Sequence, residues 1–324
     1  MNIMKKFIPF LMFLLAFSIH AKSQEYSFKE TFDVKAPAQL SIVTSDGDIN
    51  VQSSDQQNIK VRFIAKRRGE LLHIDKEELL EYYTLEISQH SNSLEIVAKP
   101  KYQNSLLDWD RQLVLSFDVE VPYLTACEIK TSDGDIHING LEGTQTCKAS
   151  DGDINLHDIK GATNAITSDG DISLADIVGA AEATTSDGDI KITACKGDVK
   201  AKASDGDIKL SDIGGLVYSR TSDGNIGLYN IKGEVTGITS DGNIRMEMEK
   251  IDHLVDLRTS DGGITLTVPE ESSFDLEMRG ENLNVDFKNF SGDRSKHSIH
   301  GEVNGGGELV KLVTSDGRIK LNFE

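Results

Sequence analysis

Apolar residues recur along this chain with a constant short period, and each period carries the same polar motif. The motif Ser-Asp-Gly-x-Ile occurs ten times, with its aspartate at positions 46, 133, 151, 169, 187, 205, 223, 241, 261 and 316. From Asp133 to Asp241 each aspartate follows the last at the same step, eighteen positions along the chain. A fixed short period predicts one structural unit that repeats and stacks on its neighbours, as in a solenoid.

Each period predicts two strands separated by two turns. Counted from the motif aspartate as position 0, isoleucine occupies +3 in all ten copies, while mostly small residues occupy +12, +14 and +16. Apolar and polar residues alternate over +2 to +6 and over +11 to +16, which is typical of strands with one buried face. Ser-Asp-Gly forms one turn, and a polar residue at +7 with Gly at +10 forms the other. We expect the glycines to supply backbone angles that other residues resist. The sequence therefore predicts an all-β, parallel β-solenoid, and the rule for parallel crossovers predicts a right-handed one.

The regular coils are flanked by two segments in which the period is interrupted. We predict an N-terminal β cap over residues 24–125 that is continuous with the solenoid, regular coils over 126–264, and a C-terminal β cap over 265–324, because an open stack needs covered ends. In the first cap the pattern predicts strands at Ile59–Ala65, Tyr83–Ser88, Ser93–Lys99 and Leu113–Val121 and a helix at Asp75–Tyr82. In the second cap, the polar, glycine-rich stretch Lys288–Gly307 is expected to be a mobile loop.

The segment 1–23 has the pattern of a secretory signal peptide. Two lysines precede the apolar stretch Phe7–Ile19, and small residues follow at Ala21 and Ser23, which places cleavage after one of these two. No later apolar run is long enough to span a membrane. The sequence therefore predicts an exported protein of the periplasm, the cell surface or the medium.

Removal of that segment makes an acidic chain more acidic. The full sequence has a formal net charge of −19, and the segment 1–23 contains three lysines and no acid, so the mature chain carries −22. This charge disfavours nucleic acid, which binds through clustered Lys and Arg, and favours cations or basic partners. Cys127, Cys147 and Cys195 fall on inward positions and are interpreted as buried hydrophobic residues, with a Cys127–Cys147 bridge between adjacent coils as the alternative.

Stacking the coils places the two aspartates of each motif in two rows along one side of the solenoid. We call this side, formed by positions 0 and +2, the acidic edge. Carboxylates in adjacent coils would lie about 4.8 Å apart and repel by about 1 kcal/mol per pair in water. Two interpretations follow: each side chain bonds to its own turn and otherwise faces solvent, or Ca2+, which prefers oxygen ligands, lies between them. The candidate ligands are Asp133, Asp135, Asp151, Asp153, Asp169, Asp171, Asp187, Asp189, Asp205 and Asp207.

Catalytic motifs are weak in this sequence, and we predict that the protein is not an enzyme. The coils are uniform, without long loops to enclose a cleft, and neither a Gly-x-Ser-x-Gly motif nor a Ser-His-Asp signature stands out. Threonine recurs at position −2, where an outward row could match ice, but its parity with Ala149 and Ala203 places it inward. The outer faces present regular surfaces, interrupted in two neighbouring coils by the candidate binding residues Tyr218, Arg220 and Tyr229.

Three parts of the chain resemble the DUF4097 family of bacterial β-strand-repeat proteins, which are described as candidate adhesins. They are the repeated Thr-Ser-Asp-Gly-Asp-Ile, the segment Val119–Pro122 before the regular coils, and the ending Val310–Leu321. The chain is also similar to the related head-GIN adhesin-like domains. The resemblance covers about residues 30–324. It implies a β-solenoid, an envelope or surface location and no known catalytic residues.

We therefore interpret the protein as an exported, non-catalytic, adhesin-like binding or structural module of the bacterial cell envelope. Its expected partner is an envelope or surface protein or glycan, and no cofactor is expected apart from the Ca2+ considered above. The alternative is an envelope stress or regulatory protein that binds cations or cationic peptides through the acidic edge.

Overall fold

The computed structural model describes residues 25–101 and 113–324. The predicted signal peptide, residues 1–23, lies outside the described residues. Within them the strands form two sheets of 15 strands each, and inward side chains from both sheets build one hydrophobic core. The prediction of an all-β, parallel solenoid is confirmed, and its right-handedness stays a prediction. No helix in the described part of the chain has the length and hydropathy needed to cross a membrane.

The first sheet, sheet A, contains the strand that follows each Ser-Asp-Gly turn. Strands are numbered in chain order through both sheets. Those of sheet A are β1 (Phe28–Asp33), β3 (Ile49–Ser54), β4 (Asn58–Arg67), β5 (Glu70–Leu71), β8 (Val114–Pro122), β10 (Ile136–Glu142), β12 (Ile154–Lys160), β14 (Ile172–Val178), β16 (Ile190–Cys195), β18 (Ile208–Ile213), β20 (Ile226–Ile231), β22 (Ile244–Glu247), β24 (Ile264–Val268), β26 (Asn282–Val285) and β30 (Arg318–Phe323).

The second sheet, sheet B, contains the strand that precedes each turn. Its strands are β2 (Ala38–Val43), β6 (Tyr83–His90), β7 (Ser93–Pro100), β9 (Thr125–Lys130), β11 (Gln145–Lys148), β13 (Thr163–Ile166), β15 (Ala181–Thr184), β17 (Val199–Lys202), β19 (Val217–Arg220), β21 (Val235–Ile238), β23 (Val255–Arg258), β25 (Phe274–Arg279), β27 (Phe290–Arg294), β28 (Ser298–Val303) and β29 (Leu309–Val313). One short helix, α1 (Lys76–Tyr82), lies between β5 and β6.

The isoleucines at position +3 form a single file through ten neighbouring strands of sheet A. In the regular coils each lies opposite the next, as Ile172 lies opposite Ile190 in the parallel pair β14–β16. Ile49 pairs directly with Ile136, and Ile264 pairs directly with Ile319, although long insertions separate the partners in sequence. The strands of both insertions join the two sheets, and the file of ten isoleucines remains continuous.

The alternation of inward and outward residues agrees with the predicted parity. Ile190 is 1% exposed, while the next residue, Lys191, is exposed. On sheet B the inward positions hold small side chains such as Val199 and Ala201, which are buried. Large residues of sheet A thus pack against small residues of sheet B, and this combination fills a thin core without voids.

The glycine of each Ser-Asp-Gly turn is required by close packing between coils. A Cβ atom on Gly188 would lie 2.0 Å from the carbonyl oxygen of Gly170, and one on Gly206 would lie 1.8 Å from that of Gly188. None of the ten motif glycines has a positive φ. The expectation that these glycines supply unusual backbone angles was wrong, because the turns stack so closely that only a hydrogen atom fits between them.

Left-handed backbone occurs instead at position +7, in the opposite turn. Asp158, Asp176, Asp212 and Asn230 have φ between 51° and 58°, a region that Asp and Asn tolerate better than most residues. Ala194 occupies the same position in its coil with φ of 56°. The polar residue predicted at +7 is therefore explained by turn geometry, and Ala194 is the strained exception.

The N-terminal segment folds as the alternation predicted. Strands β4, β6 and β7 contain the predicted runs, β8 begins one residue after the predicted Leu113, and β6 and β7 form an antiparallel hairpin. The N terminus of helix α1 carries a capping box, in which Asp75 accepts the Glu78 N–H at 2.9 Å and Glu78 accepts the Asp75 N–H at 3.0 Å. The ring of Phe63 stacks on Phe28, with ring centroids 4.5 Å apart, and fills this end of the core.

The C-terminal segment departs from the prediction in one place. The stretch 288–307, expected to be a mobile loop, contains β27 and β28, which pair antiparallel with Gly292 opposite Gly301. Its polar composition hid the strands, because β27 has no buried face and is held by backbone pairing. The stacked rings of Phe287 and Phe290, with centroids 4.5 Å apart, lie beneath the guanidinium of Arg294 at this end.

Candidate functional site

The first row of the acidic edge, at position 0, presents free carboxylates to solvent. From Asp133 onward, the backbone N–H of each motif aspartate donates to the serine carbonyl of the preceding coil, as Asp187 does to Ser168 at 2.9 Å. Within residues 25–101 and 113–324, the side chains of Asp133, Asp151, Asp169, Asp187 and Asp205 accept no hydrogen bond, and all are exposed. These carboxylates contribute charge at the coil spacing and nothing to the turns.

The second row, at position +2, links the coils to one another. Asp153 Oδ1 accepts the Asp171 N–H at 2.8 Å, Asp171 accepts from Asp189 at 2.8 Å, and Asp189 accepts from Asp207 at 2.8 Å. The row begins with Asp48 and Asp135 as acceptors, at 3.2 and 2.9 Å. Each carboxylate therefore satisfies a backbone N–H of the next coil, where one strand starts.

This row continues after the charge is lost from it. Asp207 accepts from the N–H of Asn225 at 2.7 Å, Asn225 accepts from Asn243 at 3.0 Å, and Asn243 accepts from Gly263 at 2.9 Å. An amide oxygen thus replaces the carboxylate. The interpretation in which each side chain bonds to its own turn was wrong on that point, because the second row accepts from the neighbouring coil and the first row, within the described residues, faces solvent without a bond.

The acidic edge brings its carboxylates into rows and does not gather them into a cage. In the described part of the chain, no three His, Cys, Asp or Glu side chains converge to hold a metal ion. At the N-terminal end of the first row, burial, and secondarily the charge of Asp133, raise the pKa of the Asp46 carboxyl. The carboxylates of adjacent coils therefore repel each other measurably at Asp46, where the first row is partly buried.

Threonines at position −2 face inward, as their parity predicted. Thr167 Oγ1 lies 3.0 Å from the carbonyl oxygen of Ser150 and 3.1 Å from that of Gly152, in the preceding turn. Thr185 repeats this arrangement with Ser168 and Gly170. The hydroxyls are thus used within the stack and form no outward row.

The outer face of sheet A carries a shallow groove near the N-terminal coils. Its volume is about 360 Å³. Amide, imidazole and hydroxyl side chains at positions +4 and +6 project into it, Asp118 contributes the acidic group, and most of the exposed lining surface is apolar. The polar lining residues are Asn50, Gln52, Asp118, His137, Asn139, Asn155, His157 and Ser173. The sequence signal was the loss of repetition at +4 and +6, where each coil has a different pair of side chains.

His157 is held in this groove by both of its ring nitrogens. Nδ1 lies 3.0 Å from Asn139 Oδ1, and Nε2 lies 3.0 Å from Asp176 Oδ2. The three residues come from three successive coils, so no local sequence motif could predict the contact. The pairing orients the imidazole and leaves neither nitrogen free to take a proton from a nucleophile such as Ser173.

The candidate binding residues Tyr218, Arg220 and Tyr229 do not form one cluster. Tyr218 and Arg220 lie on the outer face of sheet B, whereas Tyr229 lies on the outer face of sheet A. Lys209 Nζ lies 5.6 Å from the centroid of the Tyr229 ring. Arg220 and Tyr229 are close in sequence, but the Ser-Asp-Gly turn between them leads the chain from sheet B to sheet A. They therefore lie on different faces of the solenoid.

The three cysteines are buried as free thiols. In the register of β9 and β11, Cys127 lies opposite Gln145, and Cys147 lies opposite Ile129, so the two cysteines are diagonal neighbours. Diagonal Cα atoms are about 7–8 Å apart, which is beyond the usual reach of a disulfide. Burial raises the pKa of Cys127 to about 12 and also raises the pKa of Cys147. The structure agrees with the interpretation as buried hydrophobic residues.

Two solved structures are similar to this chain. A candidate cell-adhesion protein from Clostridium sporogenes is 13% identical, with 92% of this chain and 99% of that chain covered and a TM-score of 0.23. A candidate adhesin from Bacteroides fragilis is 12% identical, with 91% of this chain and 96% of that chain covered and a TM-score of 0.33. Both scores are below 0.5, so neither likeness supports an inference about function.

Curated proteins provide no match to this sequence. The family described as Toastrack DUF4097 matches it over residues 37–214 and 219–322. These two segments include the first coil and nearly all of the regular coils and of the C-terminal segment. The resemblance noted in the repeated motif is thereby confirmed, and the chain belongs to the Toastrack DUF4097 family.

Proposed function

We propose that this protein is an exported, non-catalytic, adhesin-like binding module of the bacterial cell envelope. The observation that carries the proposal is the groove on sheet A, where amide, imidazole and hydroxyl side chains from neighbouring coils replace the repeating pattern. Inward columns and turn residues repeat because stacking requires them. The outer residues are free of that requirement, and they present hydrogen-bond donors and acceptors in a fixed array.

The chemistry of the groove matches a partner rich in hydroxyl or amide groups. Asn155 offers a donor and an acceptor from one side chain, Asn139 offers the amide N–H groups beside the oxygen that contacts His157, and Ser173 offers a hydroxyl. An envelope glycan or an extended segment of a surface protein has such groups. Rigid strands hold the array, so little conformational entropy is lost when a partner binds.

We propose no catalytic role, and the contacts of His157 are consistent with a binding role instead. It is paired with an aspartate, as a catalytic base would be, but its second nitrogen is engaged by Asn139 at 3.0 Å. General base catalysis needs a ring nitrogen within reach of the reacting proton. The imidazole is positioned as a hydrogen-bonding wall of the groove.

Binding to envelope fractions of the encoding organism tests the proposal. The mature chain, residues 24–324, is compared with a variant carrying Asn139→Arg and Asn155→Arg, which fills the groove, and with Thr265→Arg, which changes the same face outside it. We expect the groove variant to lose at least tenfold in affinity and the control to bind like the wild type, with equal melting temperatures.

Three further arms of this experiment identify the partner. Protease treatment of the envelope removes protein partners, periodate oxidation removes glycan partners, and a chelator tests for a required cation. The proposal fails if the mature chain does not bind envelope material or if the groove variant binds as tightly as the wild type. Loss of binding with chelator alone would favour the alternative of a cation-dependent protein acting through the acidic edge.

A further inference from the structure

Cations recur on the outer face of sheet B, in the column that precedes each motif aspartate by three positions. In this column Lys130 forms an ion pair with Glu128 at 2.5 Å, and Arg258 forms one with Asp256 at 2.5 Å. In both cases the acid lies two residues earlier on the same face of the strand. A cation of this column can therefore be neutralised within its own coil.

Three cations of the column, Lys148, Lys202 and Arg220, have no acid at that place. Lys148 lies opposite Lys130, which is itself paired, and opposite Ile166 on its other side. Lys202 and Arg220 lie opposite each other in the parallel pair β17–β19. Within this column, as far as the structure describes it, they are the one place where two cations without such an acid are direct neighbours.

The acids nearest to this pair form no ion pair with it. Lys200 and Tyr218 occupy the positions that acids hold in the strands of Lys130 and Arg258. Lys200 itself is paired with Glu182 of the preceding coil. In the described part of the chain, neither Lys202 nor Arg220 forms an ion pair with a carboxylate.

Two like charges directly opposite on a sheet destabilise it. This chain contains 53 acidic and 34 basic residues, so a pair of cations without a carboxylate is contrary to its overall balance. A local feature that opposes stability points to a functional requirement. We propose that Lys202, Arg220 and Tyr218 form a second binding site, which takes the anionic group of a saccharide.

The surroundings provide both parts of such a site. Arg220 presents a guanidinium fork that fits a carboxylate or phosphate with two hydrogen bonds, and Lys202 adds a second charge. Beside them lies a groove of about 390 Å³, in which Tyr218 and the 44%-exposed Leu216 offer apolar surface. The two acids that line this groove are engaged, Glu182 in the ion pair with Lys200 and Asp198 as acceptor of the Leu216 N–H at 2.9 Å. A half-exposed tyrosine ring is a surface on which the apolar face of a sugar ring can pack.

The acidic edge limits the length of an anionic ligand at this site. Arg220 is three residues from Asp223, and Lys202 is three residues from Asp205, in the first row of free carboxylates. A long polyanion such as nucleic acid would have to pass this row and would be repelled. A saccharide with one or a few anionic groups can direct them at the two cations and its neutral part along the groove.

The same part of the solenoid provides a matched control. On sheet A, Lys191 and Lys209 also lie opposite each other, but Lys209 is placed over the ring of Tyr229. Replacing this pair removes the same number of charges from neighbouring coils on the opposite face. The second site therefore goes beyond the proposed function, which concerns the groove of sheet A, and the two can fail separately.

Calorimetry with defined probes tests the site on the mature chain. The probes are tetragalacturonate, a phosphorylated tetrasaccharide, neutral maltotetraose and a single-stranded DNA of matched charge. The proteins are the wild type, the Lys202→Gln, Arg220→Gln variant and the Lys191→Gln, Lys209→Gln control. We expect at least one anionic saccharide to bind, the first variant to weaken it at least tenfold, and the control to change it less than twofold.

Comparison of the two anionic saccharides distinguishes carboxylate from phosphate as the source of the charge. The proposal is overturned if neither binds, if maltotetraose binds equally, if DNA binds more tightly, or if both variants lose binding to the same extent. It is also overturned if the first variant lowers the melting temperature and leaves binding unchanged, since the cations would then only balance the acidic edge. Retention of envelope binding in the first variant would show that the sheet A groove acts independently.

Discussion

The hydrogen bond between Asp189 and the next coil gives the sharpest test of how the acidic edge works. Asp189 Oδ1 accepts the Asp207 N–H at 2.8 Å, and this N–H has no other acceptor among the described residues. Asp187, two residues earlier, is exposed and accepts no hydrogen bond there. We therefore expect Asp189→Ala and Asp187→Ala to differ, although both remove one carboxylate from the same turn.

Two effects of opposite sign set the magnitude. Removing a charge relieves repulsion from the neighbouring coils, each about 4.8 Å away, by about 1 kcal/mol per neighbour in water before screening. Removing the acceptor costs about 0.5–1.5 kcal/mol, the net contribution of one hydrogen bond. Asp189→Asn keeps an acceptor, as Asn225 does naturally for Asn243 at 3.0 Å. The difference in free energy of unfolding between Asp189→Asn and Asp189→Ala therefore measures the hydrogen bond to the Asp207 N–H alone.

We expect Asp189→Asn to be more stable than Asp189→Ala by about 1 kcal/mol, and Asp187→Asn to equal Asp187→Ala within about 0.3 kcal/mol. Urea unfolding at pH 7 measures the four free energies. In 1 M NaCl, where the Debye length is about 3 Å, the gain from charge removal should vanish while the difference at Asp189 persists. Equal Asn–Ala differences at the two positions would refute the assignment of distinct roles to the two rows.

Three further outcomes follow from the same structure. Ile190→Asp places an unpaired charge in the isoleucine file and should cost several kcal/mol in urea unfolding, whereas Lys191→Asp should change stability little; equal costs would show that the inward parity is misassigned. Ala194→Asn should stabilise by up to about 1 kcal/mol, because Asn tolerates the left-handed backbone at this turn; a loss of stability would mean that the turn is not strained there. Calcium should raise the melting temperature no more than NaCl of matched ionic strength, and a calcium-specific rise abolished by Asp169→Asn with Asp187→Asn would reverse this expectation.

The period and parity of the sequence were sufficient to predict the two sheets and the core. A constant spacing fixes which residues stack, and alternation fixes which of them face inward, so the file through Ile190 needed no structural knowledge. Prediction failed where a residue type is required by a partner in another coil. Glycine is needed at 188 because the carbonyl oxygen of Gly170 leaves no room for a side chain, and Asp189 accepts the N–H of Asp207 in the next coil.

The candidate sites could not be predicted in detail from the sequence, because their residues also meet partners from other coils. His157 meets Asn139 and Asp176 from two other coils, and no linear motif marks a contact between residues that lie a full coil apart. Tyr218 and Tyr229 were grouped by proximity in sequence, although the coil places them on opposite faces. The useful signal was that outer positions differ from coil to coil on both sheets. This signal indicated candidate surfaces but did not show which residues contact each other.

Deletion of one complete coil tests whether inward columns make the scaffold of this protein while outer residues make its binding sites. Removing residues 151–168 joins Ser150 to Asp169 and restores the motif, while Lys202, Arg220 and Tyr218 remain. We expect cooperative unfolding, a β-rich circular dichroism spectrum and unchanged affinity for the anionic saccharide. Adding Ile172→Asp to the shortened chain places an unpaired charge in the isoleucine file and should abolish cooperative folding. Equal stability of the shortened chain with and without Ile172→Asp, or loss of folding when the complete coil is removed, would refute this division of roles.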